Sequence, residues 1–424
     1  MLKKDSVTGI AGRVLIIGCS VQIVLGLCWM GANLLEKQLF SPEAGQLSSL
    51  LCCLIYLLQL AAAFGASYRL LQSVLGPDRR RNIWGSFVML TFPMAMQCHL
   101  ALLPDSLVGS LLLLQLSLVA EVFSEEQKGE KENQGMLRLT GCALCWLLAS
   151  FLLPEYLFLG AIPVLAMLFG KGAQKLSVSR AVLLILTVFG ISLAGNNLLS
   201  AWNPERALIS PAQAFVGRFA WSSSLRTMEQ WPDEIRENIP HMTLEAFPYY
   251  TSNVESSLAE PLIEAVGEER AEQLMWQVAK IGLTYNARGI VQDCVWDALS
   301  YIFAPTALWA HLSQILVRES FSTGNYEIMR SAHPVLTKAY AEYTSWWFTV
   351  GLVIAAVTGI LNGRRKKPAK RVGAGAMVLL SCAVVAWYTL QGAGVMDYKK
   401  TIFIGALWML WLVAAADRSV RKGM

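Results

Sequence analysis

Long apolar runs recur along the chain and constrain its fold more than any other feature. Val14–Leu35 and Met377–Leu390 contain no charged side chain. A hydrocarbon core of about 30 Å is crossed by roughly 20 helical residues, so runs of this kind are typical of membrane spans. Only 15% of the 424 residues are charged, against about 25% in soluble domains. The sequence therefore predicts an all-α, polytopic membrane protein.

The apolar runs divide the chain into ten candidate spans and three domains. The spans are 14–35, 48–71, 84–103, 107–123, 139–153, 156–170, 181–199, 346–362, 373–392 and 401–416. The predicted domains are an N-terminal membrane domain of about seven spans (1–199), a mainly helical extracytoplasmic domain (200–345) and a C-terminal membrane domain (346–424). Pro154-Glu155 separates spans five and six, which are short enough to be either two full spans or a re-entrant pair.

The distribution of Lys and Arg predicts the orientation of the spans. With both termini in the cytoplasm, the cytoplasmic segments carry 22 basic residues and the short outer loops carry only Lys37, Lys399 and Lys400. Basic segments are disfavoured for translocation, which supports this orientation. The net charge of +5 therefore reflects topology and does not indicate a nucleic-acid partner.

The segment 200–345 is predicted to lie outside the cytoplasm and to be folded. Its apolar residues recur at helical spacing, first Leu262, Ile263 and Val266, then Leu274, Met275, Val278 and Ile281. Tyr301–Val317 is apolar enough to be a span, but a span there would place Arg364–Arg371 outside. A buried or interfacial helix is the better interpretation. None of the segment's asparagines begins an N-x-[ST] sequon, which favours a bacterial cell membrane.

Motifs of soluble enzymes are absent from the sequence. It contains no P-loop, HExxH or GxSxG, and no set of residues at metal-ligand spacing, so no metal site is predicted. The four histidines are scattered, and each is expected to be a satisfied polar side chain. The spans carry amides such as Gln22, Gln115 and Asn196-Asn197, but no mid-span acid. Ion-coupled transport is therefore disfavoured, since it usually requires a buried ionisable group.

Polar and charged residues collect instead at the predicted outer membrane boundary. They are Glu36, Lys37, Glu43, Asp105, Glu155, Arg218, Arg226, Arg236, Asp397, Tyr398, Lys399 and Lys400. Acids and bases beside a bilayer suit a reaction on a lipid-linked phosphate. A carboxylate can deprotonate an acceptor hydroxyl, while Arg or Lys stabilises the departing phosphate.

Several of these features resemble the GT-C superfamily of integral membrane glycosyltransferases, especially bacterial enzymes that use polyprenyl-phosphate sugars. The resemblance rests on the acidic first loop, the run Phe92–Gln97 with Leu103–Leu107, the run Leu152–Leu157, the long outer segment after the seventh span, and Met396-Asp397-Tyr398. It covers most of the chain as a pattern. No strict motif carries it.

The resemblance implies a lipid-linked sugar donor and an acidic residue in the first outer loop that acts as base or metal contact. That role falls to Glu43 or Glu36, with Glu43 preferred because it lies further from the span. Arg218, Arg226 and Lys399 are the candidate phosphate-binding residues, and a divalent cation is a conceivable cofactor. Superfamily members typically have an Asp in this loop and this chain has none, so a degenerate, non-catalytic member is an open alternative.

Two other classes of protein also fit the pattern. An O-antigen polymerase or ligase combines a similar number of spans with one large outer loop and relies on convergent arginines. Arg218, Arg226, Arg236, Arg288 and Arg330 keep this alternative open. The other class is non-enzymatic, a membrane scaffold or a facilitator, and a continuous polar path through the bundle would favour the facilitator.

Overall fold

The computed structural model describes most of the predicted membrane domain and parts of the long segment. The residues described are 4–36, 49–99, 104–123, 132–154, 156–168, 178–202, 212, 228–238, 262–303, 322–323, 326–327, 333–362, 405 and 407–417. Predicted span 373–392 lies outside these residues, as does most of Tyr301–Val317.

The described residues are predominantly helical. The α-helices are α1 (Lys4–Glu36), α2 (Ser49–Leu75), α3 (Arg79–Leu90), α4 (Pro93–His99), α5 (Pro104–Phe123), α6 (Glu132–Leu152), α7 (Tyr156–Leu159), α8 (Ala161–Leu168), α9 (Val178–Trp202), α10 (Asp233–Asn238), α11 (Glu268–Phe303), α12 (Pro334–Asn362) and α13 (Leu407–Asp417). Residues 262–266 add a short helix, and Met228–Gln230 form a 3-10 turn. Ser322–Thr323 pair antiparallel with Tyr326–Glu327.

Four helices in the described part of the chain are long and apolar enough to cross a membrane. Their spanning segments are Gly9–Ala32, Cys53–Leu75, Gln134–Leu152 and Ser179–Trp202. Ser106–Val122 and Leu407–Asp417 are shorter apolar helices. Many of their large apolar side chains are exposed, for example Leu58 and Leu186. An apolar surface of this extent is compatible with a lipid environment, which confirms the prediction of a helical membrane protein.

The third predicted span is interrupted near its middle. Helix α3 ends at Leu90 and α4 begins at Pro93, with Thr91 and Phe92 between them outside helical structure. Pro93 has no N–H to donate and disfavours helical backbone at the residue before it, so the sequence itself ends α3 here. Gly405 lies so close to this break that an added Cβ would clash with the Phe92 ring.

Spans five and six also meet at an interruption. Helix α6 ends at Leu152, and after Pro154 the chain continues as the very short α7 and then α8. Two side chains bond to carbonyls of this region: the Trp146 indole donates to Leu157 O (2.8 Å) and the Gln115 amide donates to Gly160 O (3.2 Å). These two bonds satisfy the Leu157 and Gly160 carbonyls beside the short helices without water.

Packing fixes the relative directions of the helices. Helix α12 runs antiparallel to α1, because the Trp29 indole bonds to Thr337 whereas Gly18 O accepts a bond from Tyr343. Helix α9 runs parallel to α6, since Trp146 contacts Phe189 and Phe151 lies beside Gly195. Helix α6 begins beside the last turn of α5, where Arg138 pairs with Glu121, and therefore runs back towards the end at which α5 begins. Thus α9 ends, and α12 begins, at the end of the bundle where α1 ends. We call this the Glu36 end.

Ion pairs join helices at the opposite end of the bundle, which we call the Arg81 end. The Glu121 carboxylate on α5 forms ion pairs with Arg69 of α2, at an N–O distance of 2.6 Å, and with Arg138 of α6, at 3.0 Å. Arg81 on α3 pairs with Asp417 at 3.3 Å, and the Arg81 side chain is only 7% exposed. Arginines from two of the basic segments that predict the cytoplasmic side therefore lie at one end of the bundle.

The long segment between α9 and α12 has a hydrophobic cluster of its own, which we call the outer cluster. It consists of Ala212, Trp231, Ile235, Leu262, Ala271, Leu274, Met275, Val278 and Ala279. The predicted helical periodicity is confirmed at Leu262, Leu274, Met275 and Val278, all buried. Gly267, at φ +82°, turns the chain between residues 262–266 and α11. Arg270 bonds to Glu234 and lowers the pKa of that exposed carboxyl.

Substitution at Gly18 tests the packing of α1 against α12. A Cβ at Gly18 would clash with the Trp347 ring, whereas one at Gly31 on the same helix would meet nothing within 4 Å. We expect Gly18→Ala to lower the melting temperature of the purified protein, since overpacking costs about 1–3 kcal/mol. Gly31→Ala should leave it unchanged or raise it slightly. Equal melting temperatures for the two variants would contradict this packing.

Alkaline phosphatase fusions test which end of the bundle faces the cytoplasm. The enzyme is active only outside the cytoplasm, so a fusion after Trp202 at the Glu36 end should be active. A fusion after Phe123 at the Arg81 end should be inactive, because basic segments are retained inside. The reverse pattern would show that the predicted orientation is wrong.

Candidate functional site

Buried polar side chains converge on the interruption between α3 and α4. The Gln22 amide nitrogen, on α1, donates to Val88 O at 3.2 Å and to Thr91 O at 3.3 Å. The Tyr340 hydroxyl, on α12, also donates to Thr91 O. Gln22 and Tyr340 are both fully buried. Three helices distant in sequence thus meet at one backbone carbonyl.

The interruption explains why these donors are needed. An unbroken helix would satisfy the Thr91 carbonyl through an N–H four residues later. In the described residues that carbonyl accepts from Gln22 and Tyr340 instead. A buried carbonyl without a donor costs several kcal/mol in lipid, so the two side chains make the broken span tolerable.

Gln22 retains an unused hydrogen-bonding atom. Its Oε1 is buried and has no partner among the described residues. Its Nε2 is oriented by the two backbone carbonyls, so Oε1 faces away from them and remains available as an acceptor. Broken helices with free polar groups are where membrane proteins often hold substrates or ions.

Aromatic side chains cover the interruption towards the Glu36 end. The Trp29 indole donates to the Thr337 hydroxyl at 2.9 Å, and the Trp29 and Tyr340 ring centroids are 5.8 Å apart. Trp29, Thr337 and Tyr340 are all 0% exposed. The polar groups at Thr91 are therefore shielded by a packed layer that joins α1 to α12.

A histidine and a serine pair near the Glu36 end. His99 closes α4, Ser106 lies in the first turn of α5, and the His99 Nδ1 is 2.8 Å from the Ser106 Oγ. Both side chains are buried. The expectation that His99 is a satisfied polar residue is thereby confirmed. This hydrogen bond joins the end of α4 to the start of α5.

The predicted catalytic and phosphate-binding residues fall mostly outside the described part of the chain. Glu36 is the last residue of α1, so its backbone lies at the end where His99 and Ser106 pair. Glu43, Arg218, Arg226 and Lys399 lie outside the described residues. Their roles stay predictions. Sequence reasoning noted Gln22 as a polar residue within a span but did not connect it to the interrupted helix.

The described residues contain no cluster of three or more His, Cys, Asp or Glu side chains able to hold a metal ion. At the Arg81 end, Glu121 and Asp417 pair with arginines, and the Asp78 carboxylate accepts a hydrogen bond from the Arg81 backbone N–H.

Comparison with family models, curated proteins and solved structures finds no match to this chain.

Removing one hydroxyl tests the bonds at the interruption. Tyr340→Phe leaves the buried Thr91 carbonyl with one donor fewer and should lower the melting temperature, since such bonds contribute about 0.6–1.7 kcal/mol in membrane proteins. Tyr343→Phe is the matched control on the same helix. Tyr343 is less buried and donates to Gly18 O, a carbonyl within a regular helix, so its loss should cost less. A larger effect for Tyr343→Phe would contradict this assignment.

Proposed function

We propose that the protein is a GT-C-like transferase that moves a sugar from a polyprenyl-phosphate donor to a cell-envelope acceptor at the outer membrane boundary. The proposal includes ten spans, cytoplasmic termini and a bacterial cell membrane. One observation carries it. The end of α1, which bears Glu36, lies at the same end of the bundle as the departure of α9 and the return of α12. The acidic first loop and the long segment are thus attached at one membrane face.

The chemistry of the proposed reaction follows from the residues assigned by the resemblance. Glu43 or Glu36 takes the proton of an acceptor hydroxyl, the hydroxyl oxygen bonds to the anomeric carbon, and the bond from that carbon to the phosphate oxygen breaks. Arg218, Arg226 and Lys399 bind the polyprenyl phosphate that leaves. A divalent cation would assist by neutralising the same phosphate.

The described residues near this face lend further support. His99 and Ser106 form a buried polar pair at the end of the bundle where Glu36 lies. A hydroxyl-rich substrate requires polar groups at the edge of an otherwise apolar bundle, because unpaired hydroxyls are costly in lipid. At the opposite, Arg81 end, Glu121 and Asp417 are paired with arginines.

Amide substitutions of the two glutamates test the proposal. In cells that lack the native gene, Glu43→Gln or Glu36→Gln should fail to restore the envelope glycan that the intact protein restores. Loss of a general base lowers rates about 10²–10⁴-fold. The measurement is mass spectrometry of the envelope glycans and of the polyprenyl-phosphate pool, in which unused donor should accumulate.

Glu264→Gln is the matched control, because Glu264 is an exposed carboxylate of the long segment that the proposal does not use. It should restore the glycan fully at equal protein abundance. Full restoration by both Glu43→Gln and Glu36→Gln would show that the assigned base is wrong. An unchanged glycan and donor pool in cells without the protein would overturn the transferase itself.

A further inference from the structure

A long apolar stripe is exposed on α11, the main helix of the long segment. The exposed fractions are Trp276 50%, Leu283 50%, Val291 60% and Val295 52%. Trp276 and Leu283 are two turns apart, and Val291 and Val295 one turn apart, on either side of a kink at Asn286. The stripe therefore extends along most of the helix.

The stripe is separate from the face that packs into the outer cluster. Leu274, Met275 and Val278 lie in that cluster and are buried, and Ile290 beyond the kink is buried as well. Helix α11 thus has one apolar face covered by its own segment and a second apolar face left open. Leaving such a face in water costs about 25 cal/mol per Å² of apolar surface.

The connection between α9 and the outer cluster limits how far the cluster can lie from the bundle. Ala212 belongs to the cluster and Trp202 ends α9, so nine residues lie between the two. The ten Cα–Cα steps reach at most about 36 Å when fully extended. Trp202 itself is 90% exposed at the end of an apolar span, a typical position for a tryptophan at a membrane interface.

The residues on and beside the stripe match the chemistry of a lipid surface. Trp276 has the amphipathic ring that is enriched at bilayer interfaces. Lys280 lies between Trp276 and Leu283, and Arg288 lies between Leu283 and Val291. Both are exposed, and their long aliphatic stems allow the charges to reach lipid headgroups. The acids Glu268, Glu269 and Glu272 precede the stripe at the start of the helix.

We propose that α11 docks by this stripe onto the lipid surface of the outer leaflet, with Trp276, Leu283 and Val291 in the acyl–headgroup boundary and Lys280 and Arg288 among the phosphates. The glutamates at the start of α11 remain in water. The docking fixes the height of the outer cluster above the bilayer. The choice of the outer leaflet rests on the proposed orientation of the spans, whereas the docking uses neither the transfer reaction nor the residues assigned to it.

Spin labels on the full chain in bilayer nanodiscs of phosphatidylcholine and phosphatidylglycerol test the proposal. Leu283→Cys and Val291→Cys place labels on the stripe, and Glu272→Cys places one on the acidic start of the same helix. The unsubstituted chain, treated identically, gives the background from native cysteines. We expect the stripe labels to collide more with oxygen than with a water-soluble nickel chelate. The label at Glu272 should show the opposite ratio.

Each alternative occupant gives a different outcome. Greater collision with nickel at Leu283 and Val291 would show that the stripe faces water, which overturns the proposal. Low collision with both reagents would show that protein, such as a second copy, covers the stripe, which overturns it as well. Val295→Cys replaces either reporter if that variant fails to accumulate. Replacing phosphatidylglycerol with phosphatidylcholine should reduce the depth of the stripe labels, since Lys280 and Arg288 favour anionic headgroups.

Discussion

The hydrogen bonds to the Thr91 carbonyl hold together three helices of the membrane part of this protein. Water is absent from the bilayer core, so every backbone group there must be satisfied by the protein itself. Pro93 interrupts the third span and leaves this carbonyl without a helical donor. Gln22 and Tyr340 supply the missing hydrogen bonds. The interruption thereby fixes the positions of α1 and α12 relative to α3, although these helices are remote in sequence.

The second interruption is compensated in the same way. Gln115 and Trp146 donate to the carbonyls of Gly160 and Leu157 around the short helices α7 and α8. At the Arg81 end, Glu121 gathers two arginines from neighbouring helices. The ion pairs of Glu121 and Arg81 therefore lie at one end of the bundle, and amide, indole and hydroxyl donors lie at its breaks.

The two faces of α11 connect the membrane part to the proposed function. One face builds the outer cluster, and the other is proposed to rest on lipid. A transferase that takes a lipid-linked donor must hold its outer domain close to the bilayer, since the donor's reactive carbon lies at the headgroup level. The nine residues between Trp202 and Ala212 limit the separation of α9 and the cluster to at most about 36 Å.

The sequence by itself determined the helical membrane class, the helical periodicity of Leu262 to Ile281 and the interruption at Pro154. It predicts one unbroken span over 84–103, and the break at Pro93 is found only in the structure. Apolar length, apolar spacing and proline geometry are local properties, so they can be read without a fold.

Tertiary structure alone decided which side chains satisfy the broken helices and that His99 bonds to Ser106. These pairings depend on how helices pack, and hydropathy assigns Gln22 to a span without saying which carbonyl it faces. The predicted roles of Glu43, Arg218, Arg226 and Lys399 depend on loops beyond the described residues and stay predictions. The distribution of Lys and Arg predicts that α9 ends and α12 begins on the side of the first loop. Only packing shows which helices are neighbours there, because this is a property of contacts between helices.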